Sequence, residues 1–443
     1  MPLLLLLQCL FFTYLCHDSA SFLIIYFIHI KKLLSRIFDS VLTVEYRRLA
    51  PKIKGCLPVL TVLGYPSKST TMGGLRWLKR VVDHIEEKKA FEIKKVDNNR
   101  AIASRINNSR AVLHTFLSLL DDTRDALRAL FTNPDIVILD TYGEANLVLW
   151  GLLRFFRPNT RILCVFHHYE TTPIFSIECK DEDGNNKVSK LFYTYYNSLI
   201  EHAFKKMIRS SDAIMTVSVS SMRQLYTHCG MTESEIRNKV SIVGASIDPI
   251  PIDCNNKHKD IDFLCVGRIE KFKGIEKIWG FLKEKKSKSN FVMIGKASKA
   301  EIDKFHKLGI DHRGIVSENE KFEIFQRAKV FLFPSVREGF GMAVAEAIHM
   351  SLPVIAWRIP VFEELYENGN GDDDPSICKI KRLTLIKSED YRSFAEEAIN
   401  TLNSVNTGIV KNIGNTMMHS DIVKTWKDVG DKVTNVLERM RYY

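Results

Sequence analysis

From Leu57 onward the chain alternates short apolar runs with longer amphipathic stretches. Pro58–Gly64 predicts a first strand, and a turn-rich loop from Pro66 to Gly74 leads into a helix with Leu75, Leu78, Val82 and Ile85 at helical spacing. Further apolar runs predict strands at Ile136–Leu139, Ile162–Phe166 and Ala213–Val217, and the polar stretch Lys180–Lys187 reads as a surface loop. A proline-containing polar segment, Ile250–Asp260, interrupts the series and reads as a linker. A second series follows, with strands at Phe263–Val266, Phe291–Ile294, Val330–Phe333 and Val354–Trp357 and a helix at Ile275–Leu282. Strands alternating with helices are the mark of parallel α/β architecture. Two such series joined by a linker predict two Rossmann-like lobes with a ligand cleft between them.

The chemistry concentrates after the strand Val330–Phe333, in Arg337-Glu-Gly-Phe-Gly-Met-Ala-Val-Ala-Glu346. A strand running through a glycine-rich turn into a small-residue helix, here starting near Met342, presents backbone N–H groups and a positive helix end to a phosphate. Glu338 and Glu346 bracket that turn. Carboxylates accept from hydroxyls and repel phosphate, so each is expected to face a hydroxyl-rich part of a ligand. A charged Glu346 inside an apolar helix also needs a partner, which favours a ligand role. A diphosphate with a sugar at each end, a nucleotide-sugar, suits the arrangement.

The Glu-x7-Glu spacing resembles the signature of the retaining glycosyltransferases of family 4, the glycosyl transferases group 1 type, which have the GT-B fold. Val266-Gly267-Arg268 with Lys273-Gly274 resembles that family's phosphate-binding loop, and Thr71-Met72-Gly73-Gly74 its N-terminal glycine loop. Ser211-Asp212-Ala213-Ile214 through Val217-Ser218 resembles a further segment of its first domain. The resemblance implies that Arg268, Lys273, Gly73 and Gly74 hold the donor phosphates. It implies that Glu338, Gly339, Phe340, Gly341 and Met342 surround the donor sugar and that Glu346 takes the ribose. His167 and His168 follow the strand Ile162–Phe166. His167 occupies the family's histidine position, with a sugar-contacting or proton-accepting role implied, and His168 replaces its usual aspartate. Ala245-Ser246-Ile247-Asp248 departs from the family's Asn-Gly-Val-Asp. Growing charge on a departing diphosphate is met by preorganised cations and helix N–H groups, which suits metal-free catalysis. Asp121-Asp122 and Asp372–Asp374 imitate acidic metal motifs but are expected to be solvated carboxylates. Neither a metal nor a cofactor is expected.

With 443 residues the chain suits two domains and an appendage. The expected division is 1–50 as hydrophobic anchor and basic segment, 51–250 as the acceptor-side lobe and 251–410 as the donor-side lobe. Residues 411–443 are expected to hold a helix that crosses back to the first lobe. A formal charge of +11 asks for an anionic partner. Neither zinc-finger spacing nor an aromatic-interleaved basic pattern accompanies it, so nucleic acid is not expected. Residues 1–30 are almost entirely apolar, and Lys31, Lys32, Arg36, Arg47 and Arg48 follow them. That order predicts a membrane surface as partner, with the catalytic domains on the cytoplasmic side; a misassigned start is the other reading of this segment. Nine cysteines without CxxC spacing are expected to be reduced, Cys164 and Cys265 as core residues, which leaves the sequon at Asn107 without meaning. The function expected is transfer of a sugar from a nucleotide-diphospho-sugar to a glycan or lipid-linked acceptor. The alternatives are an inactive GT-B scaffold or sugar-binding subunit, and a nucleotide-sugar epimerase.

Overall fold

The computed structural model describes residues 57–66, 73–97, 111–141, 144–169, 187–248, 259–268, 272, 274–286, 288–367, 383–408 and 425–442. The apolar and basic segments before Leu57, the linker residues 250–258, the sequon, Lys273 and Asp372–Asp374 lie outside the described residues.

The first lobe is a parallel six-stranded sheet of β1 (Val59–Leu63), β2 (Glu92–Val96), β3 (Ile136–Asp140), β4 (Arg161–Phe166), β5 (Ala213–Thr216) and β6 (Val240–Ile242). Its order is β2-β1-β3-β4-β5-β6. The interior strands β3 and β4 are buried almost throughout, as apolar runs covered by helices on both faces must be. The second lobe repeats the plan with β7 (Ile261–Val266), β8 (Phe291–Ile294), β9 (Asp311–His312), β10 (Ala328–Phe333), β11 (Val354–Trp357) and β12 (Leu383–Ile386), ordered β12-β11-β10-β7-β8-β9. In each sheet the order reverses once, beside β1 in the first lobe and between β7 and β10 in the second. Open parallel sheets bind ligands outside the strand ends at that reversal.

The helix Trp426–Tyr442 follows the second lobe in sequence but packs in the first. Its Val429, Val433, Val436, Leu437 and Met440 share a core with Trp77, Val81 and Ile85 of the helix Gly73–Lys88. The same cluster takes in Phe340 and Ala345 of the second lobe, so the two lobes meet through apolar packing as well as polar contacts. Glu364 adds a polar contact, accepting from the Val219 and Ser220 backbone N–H groups at 2.7 and 2.6 Å, at the start of the first-lobe helix Val219–Cys229.

Cys164 and Cys265 are buried, and burial raises both thiols above the ordinary range. Asp121 and Asp122 correct the sequence reading. They lie on the helix Ala111–Leu130 with side chains buried rather than solvated, and Asp121 pairs with Arg124 at 2.9 Å. A carboxylate inside a helical amphipathic pattern gives no local sign of which way it faces.

Candidate active site

The glycine-rich turn and Arg268 arrive together because they leave adjacent strands at the second lobe's reversal point. β7 ends at Val266, and Gly267 takes φ +153°, with Phe272 packed so close that a Cβ there would stand 2.6 Å from its ring. Arg268 follows, half-buried. Next to it β10 ends at Phe333, and the turn 334–341 carries Glu338 before the helix Met342–His349 begins. Gly341 precedes that helix at φ +81°, where a Cβ would meet the Phe362 ring at 2.5 Å. A glycine has no side chain with which to cap the helix, and a helix start of this kind favours an anion.

Glu338 is partly exposed and accepts from the Ser335 hydroxyl at 2.9 Å, which fixes its rotamer at the mouth of the turn. Gly339 stands against the first lobe, where an added Cβ would lie 2.5 Å from the His167 backbone oxygen. His167 ends β4. Its ring meets Trp77 edge-on at 5.5 Å and has the Asp140 carboxylate 3.5 Å from Nε2. The Ser221 hydroxyl donates to the His167 backbone oxygen. The Phe340 side chain is given over to the interlobe core, so it can meet a ligand only through backbone, and the half-buried Met342 packs against that core. Gly73 begins the first-lobe helix and Gly74 follows half-buried.

A small cleft opens between the lobes beside Glu338. His168, Tyr169, Gln224 and His228 line it from the first lobe, and Arg337 and Glu338 from the second. Tyr169 stacks flat on His228 at 4.7 Å, giving one wall an aromatic face.

Glu346 is buried, and its charge is already met by protein. Its Oε1 accepts from Arg76 Nη1 at 2.7 Å and from Lys321 Nζ at 3.0 Å, and Oε2 accepts from Lys321 at 3.1 Å. Glu318 lies 2.8 Å from Lys321 and 3.8 Å from Arg76. Burial works against the Arg76 cation, but Glu346 and Glu318 outweigh it and raise its pKa. The burial of Glu346 therefore does not by itself require a ligand. Sequence reading missed Arg76, Lys321 and Glu318, which sit at ordinary polar helix positions and are joined only by the fold. Among the described residues no group of three or more metal-type side chains converges.

Two Rossmann-like lobes, a cleft at their strand ends and a final helix returning to the first lobe make this a GT-B protein. Residues 248–404, most of the second lobe, match the family model for glycosyl transferases group 1. Over 242 residues the chain is 27% identical to the O-antigen chain mannosyltransferase RfbU of Salmonella typhimurium, an alignment covering 49% of this chain and 63% of that protein. Sucrose-phosphate synthase from Thermosynechococcus elongatus has the same fold at a TM-score of 0.56 and 12% identity, over 88% of this chain and 98% of that one. The S. aureus MnaA–UDP complex matches at 0.50 and 14%, over 88% and 98%.

Proposed function

We propose that this chain is a retaining glycosyltransferase that moves a sugar from a nucleotide-diphospho-sugar to a hydroxyl of a glycan or lipid-linked acceptor, without a metal. The observation that carries the reading is the convergence, at one strand-order reversal, of Arg268, an uncapped helix start and two glutamates facing the opposite lobe. In the reaction the bond from the anomeric carbon to the phosphate oxygen breaks, and the electron pair leaves with the diphosphate. The acceptor oxygen bonds to the same carbon and its proton passes to a base at the cleft. Arg268, Lys273 and the helix N–H groups meet the charge that grows on the leaving group, stabilising the transition state more than the ground state. Glu338 holds donor-sugar hydroxyls, Glu346 holds the ribose, and Gly73 and Gly74 allow close approach from the first lobe. His167, with Asp140 beside its ring, is the candidate for contact with the sugar or for the acceptor's proton.

The mannosyltransferase relative supports a hexosyl donor and a glycan-type acceptor. The apolar segment 1–30 and the basic residues after it support attachment to the cytoplasmic face of a membrane, where a lipid-linked acceptor is concentrated. Among the described residues no helix is long and apolar enough to cross a bilayer.

A thermal-shift screen against UDP-, GDP- and ADP-sugars tests the reading, since a ligand bound to the native state raises the melting temperature. The best donor is then assayed for transfer with EDTA present. Transfer that survives EDTA and yields the donor's anomeric configuration supports the whole proposal. Binding without transfer to any glycan or lipid acceptor points to a scaffold, and complete loss in EDTA reversed by Mg²⁺ overturns the metal-free mechanism.

A further inference from the structure

Arg76 reaches across the cleft from the first lobe to a residue proposed to bind the donor. It is nine-tenths buried, yet only one of its donors, Nη1, makes a short bond to Glu346, and its Nε has no hydrogen-bond partner. A guanidinium carries five N–H donors, so this fork keeps capacity for a further acceptor, its buried Nε–H first. The two cations on Glu346 are not equivalent. Lys321 belongs to the same lobe as Glu346, touches both of its oxygens and has Glu318 at 2.8 Å as a second carboxylate. Arg76 touches one oxygen only, and its next carboxylate stands 3.8 Å away. A diol entering between the lobes therefore displaces Arg76 more readily than Lys321. Arg76 also lies in the first turn of the helix that begins at Gly73, at the positive end of its dipole, where an anion in the cleft is favoured.

We propose that Arg76 is a donor-responsive cation: it holds Glu346 from the opposite lobe and passes to the donor's diphosphate when the ribose hydroxyls take Glu346. The inference rests on the reading of Glu346 as the ribose ligand. A planar fork suits two phosphate oxygens at once, and the exchange replaces a direct bond between the lobes with one through the ligand. Arg76 would act on the donor's binding, and its loss would strip the diphosphate of a first-lobe contact. That loss would also free Glu346 from a competitor.

The two effects have opposite signs for two probes. Affinities of UDP, GDP and ADP are measured by calorimetry, and that of the nucleoside matching the tightest by ligand-observed NMR. Arg76→Met is expected to weaken the diphosphate at least ten-fold while the nucleoside binds as well or several-fold more tightly. Glu346 keeps Lys321 in that variant, so no buried charge is orphaned, and melting temperatures check that it folds. If it does not, Arg76→Lys carries the test, with a several-fold loss for the diphosphate and none for the nucleoside. Equal weakening of both probes, or an unchanged diphosphate affinity, overturns the role proposed for Arg76. Glu346→Gln should weaken both probes alike. Nucleoside binding untouched by Glu346→Gln would sink the ribose reading whatever Arg76 does, and failure of the unaltered protein to bind any of the three would sink the nucleotide reading itself.

Discussion

Gly339 and His167 meet backbone to backbone across the two lobes, at a distance that leaves no room for a Cβ between them. Neither main chain can swing aside as a side chain would. Gly339→Ala is therefore expected to push the turn carrying Glu338 away from the strand end carrying His167. Displacements approaching 1 Å at a reacting centre lower rates by roughly 10²-fold. Each lobe keeps its own core, so the melting temperature should change far less than the turnover. Steady-state rates and thermal melts on the same variant check this, and near-normal turnover would mean that the cleft opens at this point during the reaction.

Glu364 supplies a second link between the lobes, and it acts as a helix cap from outside the helix. Its carboxylate takes the Val219 and Ser220 N–H groups, while Ser218 Oγ takes that of Ser221. Glu364→Ala should cost about 1–2 kcal/mol, the scale of a lost N-cap. Glu364→Gln should lie between, because one amide oxygen remains to accept. Thermal or denaturant unfolding reads both, and a Glu364→Ala protein as stable as the parent would show that water satisfies those donors equally well.

Arg268, Glu338 and Glu346 should separate kinetically. Arg268→Ala is expected to lower turnover by about 10²-fold or more, the scale of removing one preorganised donor from developing charge. Glu338→Gln should depress kcat, because its contacts tighten as the sugar changes shape. Glu346→Gln should chiefly raise the donor KM, because ribose contacts change little between ground and transition states. One pattern shared by the two glutamate variants would end that division of labour.

His312 makes the second lobe sensitive to mild acid. Burial, with His306 nearby, lowers its pKa, and its Nδ1 accepts from the Gly314 N–H at 3.0 Å, a bond that only the neutral ring can make. The folded-state pKa lies below the unfolded value, so the unfolded chain takes up the proton first. The stability this provides is present above about pH 6.5 and is lost as pH falls toward the folded pKa. Burial lowers His349 in the same direction. The melting temperature should therefore fall between pH 7.5 and 5, and His312→Asn, tested over the same range, should flatten the slope while lowering the plateau.

The strands legible in the sequence are those buried on both faces, because only they show as unbroken apolar runs. β3 and β8 read directly, whereas the edge strand β2, Glu92-Ile-Lys-Lys-Val96, carries its charges toward solvent and gives no such signal. β6, β9 and β12 are short or lie away from the sheet centre and were invisible for the same reason. The glycine-rich turn was legible because glycines, strand and helix lie within about a dozen residues. The pairing of Arg76 with Glu346 was not, since 270 positions separate them and nothing near either residue names the other. Local patterning reports which face is buried; it cannot report which charged side chain from another lobe will fill a partner's carboxylate.

The helix Trp426–Tyr442 also sets an order of events when the protein is made. Trp77, Val81 and Ile85 leave the ribosome early, but the helix that covers them emerges only after the entire second lobe. At about 5–20 residues per second that delay is on the order of tens of seconds. During it the nascent first lobe carries an uncovered apolar stripe, the kind of surface that chaperones bind and that aggregates when they do not. A messenger cut short after the second lobe would thus yield a product whose missing part lies in the lobe made first.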